Sequence, residues 1–172
     1  IENLVNEFSD FARMPKPILK DNDLNKLIAE NIKLLSEIDR SIKIEFFEST
    51  TKILLKSDKE QLSRVFFNLI KNSIESINQK SEKNADFNKK IVVEISENNS
   101  HIQFVLVDNG VGFDIFGDKI KDILNPYYTT KKNGTGLGLS IVNKIINDHN
   151  GFIKFIPIKD GAKIEITFLK WK

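Results

Sequence analysis

Two hydrophobic periods alternate along this chain, and that alternation constrains its fold more than any other feature. From Asp58 to about residue 78, Leu62, Val65, Phe66, Leu69, Ile70, Ser73, Ile74 and Ile77 recur at steps of three and four, the stripe of a long helix turned to a core. The next runs, IVVEISE and HIQFVLVD, are short, β-branched and aromatic, and read as paired strands around the turn ENNS. The same switch occurs on either side. Asp23 caps an expected helix with Leu24, Leu27, Ile28, Ile32, Leu35 and Ile38, followed by strand-like KIEFFES and KILLKS near 43–49 and 52–57. A helix from about Leu137 to His149 stops at Asn150-Gly151, and FIKFIP and KIEITFL close the chain as strands. This interleaving predicts an α+β fold, a two-layer sandwich of a mixed sheet against about three helices.

Between these elements lie three segments of a different kind. Residues 1–12, IENLVNEFSDFA, set Ile1, Leu4, Val5, Phe8 and Phe11 on one stripe of an amphipathic helix, an N-terminal stub that ends at RMPKP. Pro15 and Pro17 make a stiff, extended joint there, and a boundary belongs at it. Residues 79–90 are polar and read as a loop. Residues 113–137 mix glycines, Pro126, tyrosines and threonines without a sustained period, which predicts a mobile loop with one helical turn.

Composition removes several classes of function. With 40% hydrophobic residues in 172, the chain can bury the core of one compact domain. Lys and Arg number 26 against 24 acidic residues, and a net charge of +2 gives no field for a nucleic-acid groove or an anionic membrane surface. The absence of cysteine excludes disulfides, thiolate zinc sites and thiol nucleophiles. No apolar run approaches the roughly 20 residues of a membrane helix. The chain begins at Ile1 and reads as a piece of a longer protein.

Three short motifs carry chemistry. In QLSRVFFNLIKNSIES, Asn68 and Asn72 stand four apart on one face of the long helix, where asparagine is a poor helix former and needs polar partners. A magnesium ion held by one or two protein oxygens and by phosphates would supply them, as would a helix–loop hydrogen bond. In VLVDNGVGF, the Asp108 carboxylate ends a strand just before Gly110 and Gly112. It can accept from the exocyclic amine of adenine and would reject a guanine carbonyl, although Asp-Asn-Gly is also ordinary turn chemistry. In TTKKNGTGLGLSIV, Gly134, Gly136 and Gly138 open a helix whose first free amides can cradle phosphates, with Lys131 and Lys132 beside it. That spacing fits neither a P-loop nor a dinucleotide-binding fingerprint.

Metal ligands, base reader and phosphate cradle in that order resemble the N, G1 and G2 boxes of the histidine kinase catalytic domain, in the superfamily that also holds gyrase, HSP90 and MutL. NEFSDFARMPKP and NPYYTTKKNGTGLGLSIVNKIINDHNG are similar to the NtrY branch of nitrogen-regulation sensor kinases. The resemblance implies residues 1–14 as the end of a second dimerisation helix, 15–22 as a linker and 23–172 as an ATP-binding sandwich of the Bergerat fold with a lid at 113–135. It makes Asn72 the main Mg²⁺ ligand with Asn68 assisting, Asp108 the adenine reader, and Gly110 and Gly112 the shapers of the adenine pocket. Gly134, Thr135, Gly136, Leu137 and Gly138 would wrap the phosphates, with Thr130 and Lys131 reaching in from the lid. It implies ATP and Mg²⁺ as cofactors, phosphoryl transfer to a histidine on a dimerisation hairpin, a homodimer partner, and relay to a response-regulator aspartate. The implied location is the cytoplasmic side of an inner-membrane-anchored sensor.

Several positions depart from the family pattern. Glu75 stands where many members carry a basic residue, which shifts phosphate contact toward Lys131, with Lys71 as a lesser helper. Leu124 and Tyr127 replace the usual lid phenylalanines. Neither His101, before a strand, nor His149, at a helix end, fits an acceptor segment, so the chain is expected to bind ATP without phosphorylating itself. A gyrase-like ATPase is a second reading, but its water-activating glutamate would fall at Asn68, and an amide is no base. A non-catalytic ATP/ADP sensor is a third.

Overall fold

The computed structural model describes residues 2–84, 86–130 and 134–170. Helix α1 (Glu2–Ala12) is followed by strand β1 (Lys20–Asp23), helix α2 (Leu24–Ile38), strands β2 (Lys43–Phe47) and β3 (Leu54–Ser57), and the long helix α3 (Lys59–Ser81). Strands β4 (Lys90–Glu97) and β5 (His101–Asp108), a 3₁₀ segment (Asp114–Leu124), helix α4 (Gly138–Asp148) and strands β6 (Gly151–Ile158) and β7 (Gly161–Leu169) complete the chain.

Five strands form one mixed sheet in the order β2-β4-β5-β7-β6, in which β2 runs parallel to β4 and every other pair is antiparallel. Helices α2, α3 and α4 form the second layer, and the core lies between the layers. Alternation places Ile102, Phe104 and Leu106 of β5 on the helix side, and the same period carries Asp108 to that side at the strand end. Phe66 of α3 meets Phe104 with ring centroids 5.0 Å apart, both fully buried.

The helix caps follow the local chemistry. The Asp23 carboxylate accepts the Asn25 amide, and that of Asp58 accepts the amides of Glu60 and Gln61, so α2 and α3 begin where a side-chain acceptor stands. Asn150, with φ at +58°, turns the chain out of α4.

Three segments differ from the sequence expectation. The stretch 15–22 is not wholly a linker, because Lys20–Asp23 form β1, which pairs antiparallel with β3 in a separate two-stranded ribbon. KDND has no hydrophobic alternation, so its main-chain pairing leaves no pattern to read. KILLKS alternates in burial but supplies β3 of that ribbon rather than a strand of the main sheet, whose edge strand is β2. The stretch after Phe113 carries eleven residues of 3₁₀ structure rather than a single turn, broken at Gly117, where φ is +49°.

Candidate nucleotide site

The Asp108 side chain is 4% exposed. The Ser73 hydroxyl of α3 donates to its Oδ2 at 2.8 Å, and the Gly110 amide donates to its Oδ1 at 2.9 Å. Burial pushes the carboxyl up from its ordinary pKa, and the Ser73 and Gly110 hydrogen bonds and the positive charge of Lys80 act against it. An ionised carboxylate has about four acceptor positions, so two bonds leave room for an amine donor from a ligand.

The glycines around it serve close packing as well as ligand access. A Cβ at Gly110 would stand 2.3 Å from Ser76 Oγ, which itself accepts the Val111 amide at 3.0 Å. Gly112 has φ at +74°, and a Cβ there would meet the Gly161 carbonyl at 2.5 Å. Gly161 in turn sits against the Asp108 carbonyl. The β5 loop is therefore sandwiched between α3 and the β6–β7 turn.

Asn68 and Asn72 are half-buried on α3, and Asn72 directly precedes Ser73, so helix and strand end are joined one residue from the amide pair. Lys71 lies exposed with its Nζ 3.9 Å from Glu75 one turn on, directed along the helix surface.

The glycine-rich segment divides into two parts. Leu137 is fully buried and anchors the start of α4, where no side chain caps the helix. Among the described residues a Cβ at Gly138 would meet nothing within 4 Å, which leaves that side of the first turn open to an approaching group. Gly136 has φ at +71° and lies against the backbone of Tyr127, and Gly134 is exposed. Thr135 donates its hydroxyl to the Glu7 carboxylate of α1, and Phe8 stacks on Tyr127 at 6.4 Å between ring centroids. Helix α1 therefore touches both Tyr127 and the glycine-rich turn. Thr130 is exposed, and Lys131 and Lys132 lie outside the described residues.

Among the described residues no cluster of three or more His, Cys, Asp or Glu side chains is set to hold a metal. A divalent cation here would depend on amide oxygens and on the phosphates of a ligand. The acceptor capacity of Asp108, the amide pair and the open first turn of α4 together fit a magnesium–nucleotide complex. His149 is buried, its Nδ1 donating to the Ile145 carbonyl at 2.7 Å and its Nε2 accepting the Asp58 amide at 3.0 Å, and His101 bonds locally with Asn98 and Ser100. Sequence reasoning did not single out Ser76, Lys80 or Gly161, and it counted Ser73 only as a core position. Asn68, Asn72, Ser76 and Lys80 stand at steps of four, and that row was the available signal.

A profile of the family described as histidine kinase-, DNA gyrase B- and HSP90-like ATPase matches residues 57–171, from the start of α3 to the last strand. The chain belongs to this family. Nitrogen regulation protein NtrY of Azorhizobium caulinodans is 31% identical over 169 residues, covering 97% of this chain, and the chain spans 21% of that protein's length. The catalytic domain of histidine kinase ThkA superposes with a TM-score of 0.73 at 29% identity, over 88% of this chain and 95% of that one. ThkA in complex with the response regulator protein TrrA gives a TM-score of 0.80 at 24% identity, over 99% of this chain and 47% of that chain. The mixed sheet against a helical layer is thus the fold of histidine kinase catalytic domains. No described helix is long and apolar enough to cross a membrane.

Proposed function

We propose that this chain is the ATP-binding catalytic domain of a two-component sensor histidine kinase that passes the γ-phosphoryl group of ATP to a histidine on a dimerisation hairpin. The observation that carries the reading is the buried Asp108 carboxylate at the end of β5, held by Gly110 and by Ser73, which directly follows Asn72 on α3. Asp108 accepts the adenine amine, and the Gly110–Gly112 turn lets the base lie close to the backbone. Asn72, with Asn68 assisting, would hold Mg²⁺, which would neutralise phosphate charge. Gly134 to Gly138 wrap the phosphates, with Thr130 and Lys131 closing from the lid at 113–135. The domain orients the phosphoryl group and excludes water, and it supplies no nucleophile. With Asn68 in place of a glutamate, water is not activated and hydrolysis stays slow.

In this reading residues 1–14 belong to the dimerisation hairpin, 23–172 to the catalytic domain, and the parent acts as a homodimer on the cytoplasmic side of an inner membrane. A response-regulator aspartate is the next acceptor, a partnership in keeping with the TrrA complex of ThkA. Calorimetric titration with Mg-ATP tests the site. Saturable binding lost in both Asp108→Asn and Asn72→Ala supports the assignment, and unchanged affinity in the two variants contradicts it.

A further inference from the structure

The row of α3 that carries Asn68 and Asn72 continues at the same spacing through Ser76 to Lys80, about 18 Å along the helix axis. Ser76 accepts the Val111 amide beyond the Asp108 carboxylate. Lys80 reaches further. Its Nζ donates to the Asn109 carbonyl at 3.0 Å and the Asp160 carbonyl at 3.4 Å, and lies 5.3 Å from the centre of the Phe87 ring. A lysine in the last turn ordinarily complements its own helix dipole. Here the ammonium instead joins two turns from different parts of the sheet, with an aromatic face beside it.

Those two turns enclose the Asp108 loop. Asn109 is fixed on the β4 side, its Oδ1 accepting the Lys90 amide at 2.9 Å and its Nδ2 donating to the Asn88 carbonyl. Asp160, with φ at +61°, precedes Gly161, whose backbone presses on the Asp108 carbonyl. The ammonium ties both turns to the end of α3, and Asp108 and Gly110 lie within the region so fixed.

We propose that Lys80 is a positioning residue for adenine recognition, clamping the Asn109 and Asp160 carbonyls so that the Asp108 carboxylate keeps its aim at the exocyclic amine. The proposal rests on the reading of Asp108 as the adenine reader. Its charge also favours the ionised, accepting form of Asp108 against burial.

The test is calorimetric titration of the whole chain with Mg-ATP and with Mg-purine riboside triphosphate, which lacks the amine. The chains compared are the parent, Lys80→Met, Lys80→Gln, Lys80→Arg and Asp108→Asn, with melting curves confirming that each is folded. The two neutral variants are expected to lose about tenfold in affinity for ATP, the effect of one charge-assisted hydrogen bond, and little for the analogue. Lys80→Arg should restore most of the ATP affinity. ATP affinity unchanged in the neutral variants, or an equal loss for both nucleotides, overturns the proposal. Asp108→Asn separates the two failures. If it binds ATP like the parent, the adenine-reader assignment falls and this proposal with it. If it is defective while Lys80→Met and Lys80→Gln are not, only the role of Lys80 falls.

Discussion

Asp108 shows how strand alternation places a charge. The period that buries Ile102, Phe104 and Leu106 also turns Asp108 inward, and burial then raises its pKa against the hydrogen bonds of Ser73 and Gly110 and the Lys80 charge. A carboxyl raised in the folded state contributes stability in full below its unfolded value and loses that contribution as pH rises through the folded value. The ionised carboxylate is the form that burial disfavours. Adenine needs that ionised form. ATP affinity measured by calorimetry is expected to fall on acidification from a pH above the ordinary aspartate range of about 3.9, and Asp108→Asn should remove that dependence along with most of the binding. Asp108, Asn68 and Asn72 were legible in the sequence as candidates because a carboxylate before glycines and amides on an apolar helix are chemically conspicuous. Ser73 and Gly161 were not, since a serine on a core stripe looks like a small packing residue and the reason for Gly161 is a carbonyl far away in sequence.

At the level of elements, Asp58 ties three segments together. It caps α3, accepts the Ile18 amide at 2.9 Å, and gives its own amide to His149 at the end of α4. Burial opposes its charge, but the amides of Ile18, Gln61 and Glu60, with His149, outweigh it and lower its pKa. A lowered carboxyl contributes stability above its unfolded value and loses it as pH falls through the folded value. Asp58→Ala should cost about 1–2 kcal/mol, a melting-point drop of about 2–4 °C for each kcal/mol, and should flatten the acid limb of stability read by thermal denaturation. The cap itself was legible as an aspartate before a helical stripe, whereas its links to Ile18 and His149 depend on packing that no local pattern encodes. The stub helix offers a second test. It contacts Tyr127 through Phe8 and Thr135 through Glu7. Limited proteolysis of Phe8→Ala should cut the 113–130 stretch faster than in the parent, and equal rates would show that α1 does not restrain it.

Across the whole molecule, the two-layer sandwich follows from periods that any reader of the sequence can count: three core helices with apolar stripes against strands of alternating burial. The strand order β2-β4-β5-β7-β6 does not follow, because pairing partners are chosen by long-range packing, and in the short ribbon of β1 and β3 one strand, KDND, has no hydrophobic alternation. The order matters for function. It sets β5 between β4 and β7, so that Asp108 faces α3 with Ile91 and Ala162 as its strand neighbours and the β6–β7 turn closing over its backbone. His149 is bonded to Ile145 and to the distant Asp58 amide, and His101 to Asn98 and Ser100. The most direct test is transfer of γ-labelled phosphate from Mg-ATP to the dimerisation hairpin of the same parent, made separately and also joined covalently to this domain. Acid-labile label on the hairpin histidine, dependent on this domain and lost in Asn72→Ala, is the predicted result. Tight Mg-ATP binding with an unlabelled hairpin in both the separate and the joined form would contradict a kinase function.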